Sequence, residues 1–218
     1  MTIITLYGYW RSSTTWRVRI ALNMKGLTYA IVPVHLVEAE QHTVAHKALN
    51  PMAQVPVLAI DQETDTAVTL TQSMAIMEFL DEHFTTGAPL LPSDTVARAR
   101  VRQLAEVINS GIQPVQNFAV LKRLKSQGID ARAWASDFIR NGLTAVEAIA
   151  AQTPGQFLVG DQPSIADLCL IPQLYNARRF NTPIDDLTTL LAVEAQCNAR
   201  EAFQRAHPDR QPDAQSAS

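Results

Sequence analysis

The sequence predicts a small α/β domain followed by an all-helical domain. Three observations predict it. Short apolar runs of strand length alternate with helical patterns over residues 1–85. A Gly- and Pro-containing stretch, Thr85 to Pro92, then breaks the pattern. From residue 92 to 218 only helical periodicity recurs, so the two halves belong to different layer types.

The elements follow in order. Ile3 to Tyr7 is an apolar strand and Gly8 to Ser12 a loop. Ser13 or Thr14 caps a helix that runs to about Lys25, with Val18, Ala21 and Leu22 on one face. Gly26 stops it as a C′ glycine. Tyr29 to Val34 alternates like a second strand, and Gln41 to Leu49 is weakly helical before Asn50-Pro51. Val55 to Ile60 is a third strand with Pro56 at its start, where a missing N–H is tolerated. A polar turn over Asp61 to Asp65 leads to a fourth strand, Ala67 to Leu70, and a helix opening at Thr71 or Gln72.

In the second half Ala97, Val101, Leu104, Ala105, Ile108 and Ile112 trace one apolar stripe. Trp134, Phe138, Leu143, Val146 and Ile149 trace another. Ser164-Ile165-Ala166-Asp167 has the form of a capping box, which gives Asp167 a folding role. Pro172 should kink that helix or sit near its broken ladder. The polar tail from His207 reads as irregular.

Composition narrows the function classes. The chain has 218 residues, 47% hydrophobic and 18% charged, with net charge −3. Nothing in that balance points to nucleic acid or to an anionic membrane. The N-terminal apolar run is too short for a signal h-region, and no run reaches the ~20 apolar residues of a membrane span. Cys169 and Cys197 are far apart and fit neither a disulfide framework nor zinc spacing, so a reducing, cytoplasmic home is expected. His42 and His46 stand i, i+4, as a helical metal pair would; with no third ligand nearby they read as a solvated face, and no metal is expected.

Ordered motifs run through both halves. They are Arg11-Ser12-Ser13-x-x-Trp16-Arg17-Val18-Arg19-Ile20-Ala21-Leu22, Ala48-Leu49-Asn50-Pro51-Met52-x-Gln54-Val55-Pro56 and Gln72-Ser73. They continue with Gly111 to Asn117, Ala166 to Leu170, Asn176-Ala177-Arg178-Arg179-Phe180, and His207-Pro208-x-Arg210-Gln211-Pro212-Asp213. In this the chain resembles the zeta-class glutathione transferases, the maleylacetoacetate and maleylpyruvate isomerases. The resemblance implies a thioredoxin-like N-terminal domain and an all-α C-terminal domain, the glutathione transferase fold, with glutathione as cofactor and a homodimer as assembly. One departure is visible: the common Ser-Ser-Cys is Ser12-Ser13-Thr14 here. Chemistry that needs a protein thiol there is excluded, but the isomerases use the thiol of glutathione. Threonine at this position also occurs in some maleylpyruvate isomerases.

The reaction implied is isomerisation of a C=C bond in a small keto-diacid of aromatic compound catabolism. Thiolate addition makes the bond single; rotation and elimination then return the fumaryl isomer and intact glutathione. A free thiol titrates near pH ~8.5, so the site must favour the thiolate. By the resemblance Ser12 donates a hydroxyl hydrogen to sulfur, with Ser13 and Thr14 beside it. The first turn of the helix adds unpaired N–H groups and partial positive charge. Capping alone would also explain these hydroxyls; the surrounding motif favours the catalytic role for Ser12.

A dianionic substrate needs cations, and arginine's planar fork suits carboxylates. Arg11 and Arg179 are expected to hold its two ends, while Arg17 and Arg19 read as structural or interfacial. Glutathione is expected on Ser12, Gln41, Val55, Pro56, Gln72, Ser73, Gln113 and Asn117. In the family the bond before the proline is cis, which turns the backbone N–H and C=O of Val55 toward a peptide ligand. Two other readings compete. One is a conjugating transferase or dehalogenase for small electrophilic acids. The other is a non-catalytic binding protein of the same fold, against which the retained Ser12, Val55-Pro56 and Gln72-Ser73 argue.

Overall fold

The computed structural model describes residues 2–62, 65–153 and 155–214. Two compact units emerge. One holds the chain through Leu90 and again from Glu201; the other spans Leu91–Arg200. The C-terminal segment, read from the sequence with the helical half, therefore groups with the first unit instead.

The first unit is built on strands β1 (Ile3–Gly8), β2 (Ala30–Pro33), β3 (Val57–Gln62) and β4 (Asp65–Thr71) in the order β2-β1-β3-β4. β1 runs parallel to β2, with Thr5 opposite Ala30. It runs antiparallel to β3, with Leu6 opposite Leu58, and β3 antiparallel to β4. The parallel pair needs a crossover, and helix α1 (Ser13–Met24) supplies it. Leu6, Val18, Ala21, Leu22 and Leu58 are sealed from solvent, as the sequence pattern requires. Part of the polar turn predicted over Asp61 to Asp65 lies outside the described residues. β3 starts at Val57 rather than Val55, because Pro56 has no N–H to give the ladder and stands ahead of it; the Val55–Pro56 bond is cis.

Helix α2 (Val44–Leu49) is shorter than predicted, with a tight 3-10 turn, Glu40–His42, ahead of it. Helix α3 (Ser73–His83) begins one residue later than Gln72, whose backbone is left-handed at φ 69°. The start of the connecting stretch is fastened to α1. Ala88 N–H donates to the Met24 carbonyl at 3.1 Å. Gly87, at φ +72°, lies so close to the Met24–Lys25 backbone that a Cβ would collide with it. Past the second unit the chain forms α9 (Glu201–Ala206) and the turn Pro208–Arg210, more ordered than the irregular tail the sequence suggests.

The second unit contains α4 (Thr95–Glu106), α5 (Phe118–Ser126), α6 (Ala131–Ala150), α7 (Ile165–Arg179) and α8 (Thr188–Asn198). Val101, Leu104, Ala105, Ile108 and Ile112 are buried, as their spacing predicts. After Glu106 the helix widens into a π turn, Val107–Ile112, and tightens into a 3-10 turn, Gln113–Gln116. In α6 the buried stripe is Ala135, Ile139, Leu143, Val146 and Ala150. Trp134, Phe138 and Ile149 sit one position off it; the Trp134 indole N–H instead donates to the Val115 carbonyl at 3.1 Å. α7 continues through Pro172 as one helix. Asp167 closes the capping box with Ser164, as predicted.

Candidate active site

Residue 12 stands where β1 has ended and α1 begins. Gly8 closes the strand against the Thr15 side chain, which leaves no room for a Cβ. Ser12 N–H donates to the Tyr9 carbonyl at 3.0 Å, closing a four-residue turn. Ser12, not Ser13 or Thr14, is the N-cap, and its Oγ accepts from Thr15 N–H at 3.2 Å. The cap falls there because Ser12 alone of the three has extended backbone and stands three residues before an orphan N–H. No acidic residue lies in the first turn of α1 to neutralise its positive end.

A row of hydrogen bonds leaves this cap. Thr14 Oγ1 donates to the Val55 carbonyl at 3.1 Å and meets Ser12 Oγ at 3.0 Å. A hydroxyl has one hydrogen, so with that of Thr14 on Val55 the hydrogen between the two hydroxyls belongs to Ser12. Thr14 thus joins Ser12 to Val55, which lies 41 residues beyond Thr14 in sequence. Ser13 is half-buried on the first turn. The guanidinium of Arg11 lies 5.1 Å from the centre of the Trp10 ring, a cation–π contact.

The remaining first-unit candidates sit on other elements of that unit. Ser73 is buried at the start of α3 and accepts from Arg17 Nη1 on α1 at 3.2 Å. Gln72 is exposed just ahead of it. Gln41 is buried in its 3-10 turn, with its amide oxygen unpartnered among the described residues.

In the second unit the paired arginines divide. Arg178 is engaged by both carboxylate oxygens of Glu194 at 2.6 Å, which raises its already high pKa. Arg179 is exposed and donates to the neutral Asn176 Oδ1 at 3.1 Å; its guanidinium lies 5.6 Å from the Phe180 ring centre. Gln113 opens the 3-10 turn. Asn117 caps α5, its Oδ1 accepting from Ala119 N–H at 3.0 Å, so only its amide N–H₂ remains to donate elsewhere.

Residues 3–82 match the model of the glutathione S-transferase N-terminal domain, and residues 130–193 that of its C-terminal domain. The chain belongs to the glutathione transferase family. It is 46% identical over 211 residues to a maleylacetoacetate isomerase of Mus musculus, covering 95% of this chain and 94% of that one. It is also similar to the solved maleylacetoacetate isomerase of Anaeromyxobacter dehalogenans 2CP-1, which holds glutathione in its active site. The TM-score is 0.91 at 48% identity, over 98% of this chain and 99% of that one. A second structure of that isomerase carries dicarboxyethyl glutathione and citrate; its TM-score is 0.90 at 46% identity, over 99% and 96% of the two chains. A bacterial maleylpyruvate isomerase described as a zeta-class glutathione transferase scores 0.89 at 41% identity, over 97% of this chain and 100% of that one.

Within this transferase fold the structure adds residues that sequence reasoning missed. His46 is not a solvated histidine. It is buried, and its Nε2–H donates to the Gln54 carbonyl at 2.9 Å, which Asn50 Nδ2 also reaches at 2.9 Å. A carbonyl only accepts, so Nε2 is the donor in this hydrogen bond. Together they fix the peptide that leads into Val55. Arg17 and Arg19 are fully buried structural cations, as expected. Burial pulls Arg19 down to about 10, which still leaves it charged at neutral pH. No cluster that could hold a metal occurs among the described residues.

Proposed function

We propose that this glutathione transferase is a cis–trans isomerase of a small unsaturated keto-diacid, maleylacetoacetate or maleylpyruvate. The observation that carries the reading is the row Ser12–Thr14–Val55. It links a hydroxyl at the positive end of a helix to the backbone segment that the family uses for its peptide cofactor.

Glutathione fits the residues present. The buried, unpartnered oxygen of Gln41 is a polar atom that a ligand would satisfy. The left-handed Gln72 is local strain of the kind that binding sites retain. Ser12, Gln41, Val55, Pro56, Gln72 and Ser73 hold the tripeptide in this reading, with Gln113 and Asn117 contributing from helical elements. When bound, glutathione supplies the thiolate that adds to the double bond and leaves once the bond has turned.

The chain's own groups then have separate tasks. Ser12 turns its hydrogen from Thr14 to the sulfur, and the first-turn N–H groups of α1 add positive potential. A hydrogen bond to a charged group contributes about 1.5–3 kcal/mol, enough to keep much of the thiol ionised at neutral pH. Ser13 and Thr14 support that hydroxyl. Arg11 and Arg179 take the substrate carboxylates and stabilise charge that develops on the keto oxygen. Arg178, spent on Glu194, does not. The dicarboxyethyl glutathione held by the Anaeromyxobacter protein has the composition that thiolate addition to a four-carbon unsaturated diacid leaves, which supports a diacid substrate.

The homodimer and the cytoplasmic home belong to the same proposal. No helix among the described residues is long and apolar enough to cross a membrane. Cys169 and Cys197 are both buried and form no disulfide.

The test is conversion of maleylpyruvate and maleylacetoacetate to their fumaryl isomers with and without glutathione. Turnover by glutathione-free protein would defeat the mechanism. Stable conjugates with small electrophilic acids, without isomerisation, would move the protein to the transferase or dehalogenase reading. Ser12→Ala is expected to raise the pKa of the bound thiol. Arg179→Ala is expected to impair substrate use while sparing glutathione affinity.

A further inference from the structure

Trp10 sits inside the turn that delivers Arg11 and Ser12, and both of its backbone polar groups are held by residues outside that turn. Its N–H donates to Asp213 Oδ2 at 3.0 Å, across 203 residues of sequence. Its carbonyl accepts from Arg19 Nη2 at 2.9 Å. Arg19 Nε donates in turn to the Ala206 carbonyl at 3.0 Å, so one buried guanidinium joins the loop to the end of α9. Arg19 and Asp213 also attract each other. The segment between is shaped for this closure. Gln211 is buried and donates to the carbonyls of Arg205 and His207, while the His207 ring packs edge-on against Trp16, centroids 5.2 Å apart.

We propose that Asp213 is a positioning residue for the thiolate site. Its carboxylate fixes the Tyr9–Ser12 turn from the second residue, and through that turn it sets where the Ser12 hydroxyl stands. The inference rests on the role given to Ser12 above. A backbone N–H at a turn needs an acceptor, and a charged acceptor holds it more tightly than a neutral one. Arg19 fixes the other side of the same residue, so the turn is constrained at two points rather than one. The motif His207-Pro208-x-Arg210-Gln211-Pro212-Asp213 thereby acquires a task in the site although it stands at the far end of the chain.

Charge and position predict opposite signs, which makes the proposal testable. Removing a nearby negative charge would by itself lower the pKa of a bound thiol. Displacing Ser12 would raise it. In the full-length protein, Asp213→Ala is expected to raise the thiol pKa of bound glutathione, read from thiolate absorbance against pH. It should also lower kcat/KM about tenfold or more, with a smaller change in glutathione Kd. Asp213→Asn, whose amide oxygen still accepts from Trp10 N–H, is expected to restore most of the wild-type pKa. Asp213→Glu, which keeps the charge but shifts the oxygen, is expected to behave like alanine; these two decide the matter should alanine fail to fold. In a Ser12→Ala background Asp213→Ala should add little.

A thiol pKa unchanged in Asp213→Ala and Asp213→Glu, beside one that shifts in Ser12→Ala, would overturn the proposal. So would full additivity of Asp213→Ala with Ser12→Ala. If Ser12→Ala itself leaves the pKa in place, the reading of Ser12 is what fails.

Discussion

The Thr14 hydroxyl donates to the backbone carbonyl of Val55 at 3.1 Å, so the side chain that stands where the common zeta-class motif has cysteine ties the helix cap to the segment proposed to pair with glutathione. A cysteine thiol is a weaker donor and would hold that carbonyl less well. Thr14→Val, nearly isosteric, should therefore act first on Val55. A neutral hydrogen bond contributes about 0.5–1.5 kcal/mol, so glutathione affinity should fall about two- to tenfold. The thiol pKa should rise less than in Ser12→Ala, because the variant also frees Ser12 from its present acceptor. Calorimetric titration and thiolate absorbance read the two effects separately. A pKa rise equal to that of Ser12→Ala would make Thr14 the direct donor to sulfur.

Gln72 tests whether strain and binding can be separated. Its φ of 69° is one that glycine adopts readily and other residues rarely do. Such strain costs about 1–3 kcal/mol, part of which glycine's greater freedom in the unfolded chain offsets. Gln72→Gly should thus gain about 1 kcal/mol in urea unfolding while glutathione binds more weakly. A less stable variant with undiminished affinity would contradict both halves of the argument.

Local pattern carried the strands, α1 and the Gly26 stop, because alternation and helical spacing register burial within a few residues. It could not choose among Ser12, Ser13 and Thr14 as the cap, since adjacent hydroxyls differ little in propensity and only backbone angles separate them. It drew the α6 stripe through Trp134 and Phe138, one residue off. The true stripe opens and ends on Ala135 and Ala150, whose small side chains weigh little in a hydrophobic pattern. Nothing near residue 10 announces Asp213, because pairing at that separation has no local period. The expectation for Arg11 and Ser12 came from an ordered motif, and composition contributed nothing to it.

His46 shows the same limit and yields its own test. Its spacing from His42 reads as a wet helix face, yet the loop from Asn50 to Gln54 folds back and buries it. His46→Ala removes one of two side-chain donors to the Gln54 carbonyl and opens a void. A loss of about 2 kcal/mol in chemical unfolding is expected. Glutathione affinity should fall with it, through Val55, while the thiol pKa at saturating glutathione stays near the wild-type value. If affinity is untouched in a measurably destabilised variant, Gln54 does not transmit the change to Val55.

Asp167 predicts the pH dependence of stability. It is fully buried in α7 and accepts from Leu158 N–H at 2.9 Å, Ser164 N–H at 2.7 Å and Ser164 Oγ at 2.9 Å. Burial raises its carboxyl to about 6 from an ordinary 3.8, against the pull of those hydrogen bonds. The native state then keeps the proton over a pH range where the unfolded chain has lost it. Stability from this group is fully present below pH 3.8 and is lost as pH rises to about 6. Asp167→Asn cannot titrate, so it serves as the baseline. The stability of wild type relative to the variant should decline by up to about 3 kcal/mol between pH 4 and pH 7. Urea unfolding of both proteins across that range measures it. A wild-type advantage that grows with pH would mean that the three donors overcome burial and hold Asp167 ionised.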